Sequence, residues 1–348
     1  MGLSESMKGN QNGVRSGNVE LIRSYIRDGK DLMPDGKKMP VLKLARIIYN
    51  DHPLRFTDVE KVRLLISKVI GRGGIGNELM KNLFEKDARP KNPYNLPESD
   101  ETIYEPYIIK GERIAGLFDI HCPYHSIPAL TGAIGWLKPQ EPDTLFIGGD
   151  GIDCHQLSRF VRDPKKRAFA AELDSLGNLI YALREEFPKA NVVYKTGNHE
   201  DRYDQFLYQK AGELHGVPEF SLEALIRKRC GDDISFVHNK RIAKAGDLNI
   251  IHGHEFPGGT FSPVNIARGL FLKAKVSAMQ GHNHQTSEHT ETDMNGRITT
   301  TWSVGCLSEL HPDYMPLNKW NHGFAFIEVE ADGNFNVQNK RIHKGEVL

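Results

Sequence analysis

The feature that most constrains this chain is a pair of short apolar runs, each ending abruptly in acidic and imidazole side chains. Residues 114–118 lead into Asp119 and His121, and residues 145–147 lead through Gly148 and Gly149 into Asp150 and Asp153. An apolar run of four or five residues followed at once by Gly or Pro reads as a buried strand. Between the two, residues 127–137 carry helical spacing behind Ser126, a plausible N-cap. The result is a βαβ unit, which puts both polar clusters at the carboxyl ends of neighbouring parallel strands. That edge of an open α/β sheet is where ligands bind. Oxygen and nitrogen donors gathered there point to a metal.

The same grammar recurs downstream. A long helix is expected from Pro164 to about Glu186, and Pro188 stops it. A strand over residues 192–194 then runs into Gly197-Asn198-His199-Glu200, and residues 203–229 read as helical. The run at 248–251 ends in His252-Gly253-His254. After a helix over 263–273, the run at 276–279 ends in Gly281-His282-Asn283-His284. The tail (298–304, 323–329 and 335–342) reads as antiparallel strands around a turn at Asp332-Gly333. A single His or Asp after a strand is ordinarily a hydrogen-bonded loop residue. Five strand ends of the same kind are not explained that way, whereas His125, His155, His289 and His311 fall outside the pattern and read as ordinary residues.

The front of the chain is different. Residues 1–91 hold 18 Lys and Arg against 11 Asp and Glu, and the remainder carries the compensating negative charge, so the whole is neutral. Amphipathic runs at 19–27 and 41–49, a capping box at Thr57–Glu60 opening a helix to Lys68 or Ile70, and a third run at 77–86 predict a small helical module. A helix-turn-helix-like DNA-binding piece and a dimerisation or docking piece both fit this pattern. Residues 71–76 satisfy G-x-G-x-x-G, but a basic helix rather than a strand precedes them, so a turn is expected, not a dinucleotide site. No P-loop motif occurs. Residues 92–111, rich in Pro, Asn and acid, read as a linker to a domain over 112–348.

No run of eighteen apolar residues exists, and the first residues lack the apolar segment of a secretory signal. Gly2 and Ser6 fit the short myristoylation pattern, which by itself carries little weight. Four unpaired-looking cysteines (122, 154, 230 and 306) suit reduced, packing thiols. A cytoplasmic protein without a membrane partner is expected, in the host cytoplasm if the source is viral.

Taken in order, D-x-H at Asp119–His121, G-D-x-x-D at Gly149–Asp153, G-N-H-E at 197–200, H-G-H at 252–254 and G-H-x-H at 281–284 resemble the calcineurin-like metallophosphoesterase superfamily. The likeness covers about residues 112–310, and no family motif is missing. It implies a four-layer α/β/β/α sandwich, here with a small N-terminal all-helical domain. It also implies a two-metal centre. Asp119, His121, Asp150 and His284 would hold one ion, and Asn198, His252 and His282 would hold the other together with Asp150, which bridges. Such donors suit Mn, Fe, Zn or Ni, with Mn the expected choice in vitro. The two ions would generate a hydroxide that attacks phosphorus. His199, oriented by Asp153, would serve the leaving oxygen as general acid. Arg202 is a candidate phosphate grip and His254 a lining residue, whereas Arg159 reads as a solvated surface residue. Protein phosphatases of the superfamily carry Arg directly after the second Asp of G-D-x-x-D. Cys154 stands there instead, which disfavours a protein substrate. With the basic front piece, the expectation is a phosphodiesterase or phosphatase acting on nucleic acid or nucleotides. The likeness extends to chains of bacteriophages and mobile elements. The alternative is a catalytically silent scaffold used for DNA binding or docking.

Overall fold

A computed structural model describes residues 17–19, 21–26, 28–33, 37, 39–70, 96–97, 104–159, 168–238, 240–256 and 264–348. The expected turn at 71–76, the third helix at 77–86, half of the expected linker, Gly2, Ser6, Pro164 and Pro263 lie outside them. The chain divides into two compact units, Met1–Ala88 and Arg89–Leu348.

In the first unit, residues 17–19 and 21–26 are helical, followed by helices α1 (Val41–Asp51) and α2 (Val59–Ile70). Ile22, Tyr25, Leu44, Ala45, Ile48, Phe56, Val62 and Ile66 close a small core of their own. The expected capping box is displaced by one residue. Asp58, not Thr57, is the N-cap, accepting from the Lys61 N–H at 2.7 Å. Glu60 turns outward to pair with Arg63 instead of reaching back.

The second unit stacks two mixed sheets face to face. The seven-stranded sheet runs β13 (Glu346–Val347), β12 (Phe335–His343), β11 (His322–Val329), β2 (Arg113–Leu117), β3 (Thr144–Gly148), β4 (Asn191–Lys195), β5 (Ile234–Val237). The six-stranded sheet runs β1 (Tyr107–Ile108), β6 (Ala243–Ala245), β7 (Leu248–Ile251), β8 (Ala278–Gln280), β10 (Ile298–Ser303), β9 (Ser287–Thr292). Strands β2, β3, β4 and β5 are parallel, as are β7, β8 and β10.

Side-chain alternation explains the layering. Ile114, Phe146 and Val193 point inward to meet Leu248, Ile250, Met279 and Trp302 of the facing sheet. Ala115, Leu145, Ile147 and Val192 point outward under helices α3 (Ile127–Leu137), α4 (Phe169–Glu186) and α6 (Leu222–Cys230). Across the other sheet, Leu270 of α7 (Ile266–Ala274) packs on Ile251 and Ala278. The layers are therefore helix, sheet, sheet, helix.

Three expectations need correction. Tyr107–Ile108, assigned to the linker, is a strand paired with Ala243–Lys244. The helical stretch at 203–229 is broken into α5 (Asp201–Lys210), two short 3₁₀ turns and α6. Finally, β10 does not join the β11–β12 hairpin. It enters the other sheet, antiparallel to β9 and parallel to β8.

Candidate metal centre

Five of the parallel strands, drawn from both sheets, each deliver a polar cluster to one rim. Asp119 and His121 follow β2, Asp150 and Asp153 follow β3, and Asn198 and His199 follow β4; His252 follows β7, and His282 and His284 follow β8. The backbone bends sharply at this rim. Asp119, His121, Asp150, His282 and His284 all have φ between 52° and 67°. Non-glycine residues rarely adopt the left-handed region, and such strain concentrates at functional sites. Two glycines permit the approach of the loops. A Cβ on Gly197 would collide with the Asp150 carboxylate, and one on Gly149 with the His252 ring.

The side chains form three overlapping groups: Asp119, His121 and His284; His121, Asp150 and His199; Asp150, His252 and His282. Asp150 belongs to two of them. His121 Nε2 lies 3.3 Å from His284 Nε2, His284 Nε2 lies 3.4 Å from Asp119 Oδ1, and His121 Nε2 lies 3.7 Å from Asp150 Oδ2. On the other side, His252 Nε2 is 3.3 Å from Asp150 Oδ2 and 3.1 Å from Asn198 Oδ1. Donors spaced this way match neighbours around a cation whose bonds are about 2.0–2.2 Å long. The outer ring nitrogens are also held: His252 Nδ1 lies 3.0 Å from the Gly148 carbonyl and His121 Nδ1 3.1 Å from Asp153 Oδ1. The residues present fit a transition-metal centre.

Electrostatics agree. Burial opposes ionisation of Asp150, but His199 and His252 overcome it and hold the carboxyl well below its usual range. Asp119 is lowered against burial by His284 and His252. Burial works against the charged forms of His252 and His284 too, yet Asp150 for the first and Asp119 for the second raise each to about 10. Burial and the nearby His252 push His282 down to about 4. The rim is a set of buried anions that recruits positive charge.

His199 stands beside this cluster. Its Nδ1 lies 3.0 Å from Asp153 Oδ1 and 2.8 Å from the Asp153 carbonyl, so it is the protonated nitrogen. Arg202 Nη2 donates to Nε2 at 2.9 Å, and Nη1 donates to the Asp153 carbonyl at 2.9 Å. The two expected partners of the pair and the candidate phosphate grip are thus in contact. His254 sits at the margin, with Nε2 3.2 Å from Asp201 and its ring centroid 5.3 Å from that of His252.

Several residues escaped the sequence reading. His155, taken as ordinary, places Nδ1 3.6 Å from Asp153 Oδ2. Glu200, buried, accepts from the Asp150, Gly151, Ile152 and Gly197 N–H groups and from the Tyr194 hydroxyl, tying the loop after β3 to the loop after β4. Glu255 accepts from the His252 and Gly253 N–H groups and pairs with the fully buried Lys195 at 2.9 Å. Glu200 had one available signal, its place in G-N-H-E; Glu255 and Lys195 had none. All four cysteines are buried and free.

This constellation is of the kind that holds transition-metal ions. The profile of the calcineurin-like phosphoesterases matches residues 113–293, and the chain belongs to that family. It is 25% identical over 236 residues to the Gene 54 protein of Mycobacterium phage L5, covering 64% of this chain and 90% of that one. Solved structures similar to it include a dimetal phosphatase from Danio rerio (13% identity, 69% of this chain and 98% of that one, TM-score 0.36). Another is Vps29 from Entamoeba histolytica complexed with zinc (13% identity, 68% and 96%, TM-score 0.35). No helix among the described residues is long and apolar enough to cross a membrane.

Proposed function

We propose that this chain is a metal-dependent hydrolase of phosphoesters in nucleic acids or nucleotides. The observation that carries the reading is Asp150, a buried carboxylate shared by two groups of candidate ligands at the junction of both sheets. Asp119, His121, Asp150 and His284 would hold one ion, and Asp150, Asn198, His252 and His282 the other. Ions bound there supply a nucleophile at neutral pH and neutralise charge on the phosphoryl oxygens.

The remaining work falls to the chain's own side chains. Asp153 orients the His199 ring through Nδ1, and Nε2, which accepts from Arg202 in this structure, faces the reacting group once that contact is displaced. Protonated at Nε2, His199 gives that proton to the leaving oxygen. Acid charge favours this form: burial opposes it, but Asp150 and Asp153 raise the His199 pKa. Arg202, whose fork already touches His199, turns its donors to a phosphoryl oxygen when substrate displaces that contact.

A nucleic acid or nucleotide substrate is supported by the net positive charge of residues 1–91 and by Cys154 at the position where protein phosphatases carry Arg. Cys154 is fully buried and cannot grip a phosphate. The test is Mn-dependent hydrolysis of bis-p-nitrophenyl phosphate and p-nitrophenyl phosphate, whose ratio separates diesterase from monoesterase. Turnover should fall at least a hundredfold in both Asp150→Asn and His199→Ala, with metal content reduced only in Asp150→Asn, consistent with acid–base effects of about 10²–10⁴. Wild-type protein loaded with metal yet inert on every phosphate ester would instead make it a scaffold. Removal of residues 1–91 should weaken DNA binding at low salt; unchanged affinity would remove the nucleic-acid argument.

A further inference from the structure

The connection from β10 to β11, residues 304–321, is long for two strands that lie in different sheets, and it runs over the metal rim. Its inner part is fastened to the site. The Leu307 N–H donates to the Asp119 carbonyl at 3.2 Å, and the Asn321 N–H to the His284 carbonyl at 2.9 Å. Its outer part, 310–320, is tied mainly to itself. Asn318 donates through Nδ2 to the Met315 carbonyl at 2.8 Å and accepts from the Trp320 N–H at 2.9 Å; the Met315 N–H donates to the Pro312 carbonyl at 2.9 Å. A loop packed by its own bonds with its ends close together is an Ω-loop, a form that often serves function.

Its outer part carries aromatic and apolar groups where the surface should be polar. Tyr314 is 70% exposed and Leu317 93%. Trp320 lies against the His284 ring at 4.2 Å between centroids, and Tyr314 lies one ring further out, 6.4 Å from Trp320 at 64°. The two rings meet edge to face, and with Tyr314 70% exposed a face of its ring stays open to solvent.

We propose that this loop is the nucleobase subsite of the centre, with Trp320 as its inner wall and Tyr314 as the stacking face. The inference rests on the phosphoester reading. Trp320 links His284 to Tyr314, so a base stacked on Tyr314 would lie beside a phosphoryl group held at the rim. Stacking on an aromatic face is tolerant of base identity and independent of hydrogen-bond readout. A flat, uncharged, exposed ring next to an anion-binding centre suits that purpose.

The test is calorimetric titration of the full-length protein with adenosine 5′-monophosphate and with ribose 5-phosphate, both at the same fixed Mn²⁺ concentration. The nucleotide should bind at least tenfold more tightly than its base-free counterpart. Tyr314→Ala should weaken the nucleotide roughly five- to a hundredfold, the range of one stacked base, and leave ribose 5-phosphate within twofold. Tyr314→Phe should restore the nucleotide affinity. Equal affinities in the wild type, equal weakening of both ligands in Tyr314→Ala, or binding of neither would overturn the assignment. Hydrolysis of bis-p-nitrophenyl phosphate is measured alongside. If it persists while base discrimination is absent, the loop assignment fails and the hydrolase reading stands; the converse result sinks only the latter.

Discussion

Glu200 holds the two central loops of the site together, and Glu200→Gln isolates that role without changing side-chain size. In the native site Oε2 accepts from the Asp150 N–H at 3.0 Å and the Gly197 N–H at 2.7 Å. Oε1 accepts from Gly151 at 2.9 Å, Ile152 at 3.3 Å and the Tyr194 hydroxyl at 2.6 Å. A carboxylate can accept all five; an amide cannot. Whichever way glutamine turns, its NH₂ faces at least two buried donors. The less costly orientation sets it against Asp150 and Gly197. Two buried N–H groups left unpaired cost about 1–3 kcal/mol each, or roughly 4 kcal/mol together. For a unit of this size each kcal/mol moves the melting temperature by about 2–4 °C, so a fall of about 8–16 °C is expected. Thermal unfolding followed by circular dichroism in chelator reads the fold alone, and Mn²⁺ titration of the same variant reads the loops. Because Asp150 and Gly197 lose their anchor, Mn²⁺ affinity should drop as well. A melting temperature within about 3 °C of wild type, with Mn²⁺ affinity unchanged, would refute the clamp.

Two further predictions concern buried acids of opposite character. Burial, and then the charge of Asp153, raise Glu172 to about 7, and its Oε2 has no hydrogen-bond partner. A folded-state pKa above the unfolded one stabilises below about pH 4.5, and that contribution is lost as pH rises through 7. Glu172→Gln should therefore be more stable than wild type at pH 8, by up to about 3 kcal/mol, and near it at pH 5; equal urea midpoints at pH 8 would contradict this. Glu255 behaves the other way. Burial alone would raise it, but Lys195, then His254 and His252, bring it down to about 2. Its contribution, about 3 kcal/mol, is present above about pH 4.5 and disappears as pH falls towards 2. The Lys195→Met/Glu255→Gln double variant should lose that part of the acid unfolding transition, and an unaltered acid midpoint would count against it.

A strand with an uninterrupted apolar run, such as β3, was legible from the sequence because a buried strand needs nothing but apolar residues and a stop. So were the residues at the strand ends. Motif order identifies Asp119, Asp150, His199, His252 and His284 as a set, because oxygen and nitrogen donors after successive parallel strands share one edge whatever the rest of the sheet does. Other strands left no such trace. Ser287–Thr292 is polar and largely exposed, Tyr107–Ile108 is two residues long, and each exists only because a partner strand offers it hydrogen bonds. Which sheet receives β10 was also beyond local pattern, since the same alternation serves either face. The supporting acids were hidden for a related reason. Glu200, Glu255 and Glu172 are ordinary charged residues in sequence, and only burial against particular N–H groups or a lysine makes them structural. The 310–320 loop reads as an undistinguished connection until the fold lays Trp320 against His284. Periodicity along the chain reports what one residue does for its own element; contacts between distant segments depend on the whole packing, and no local pattern encodes them.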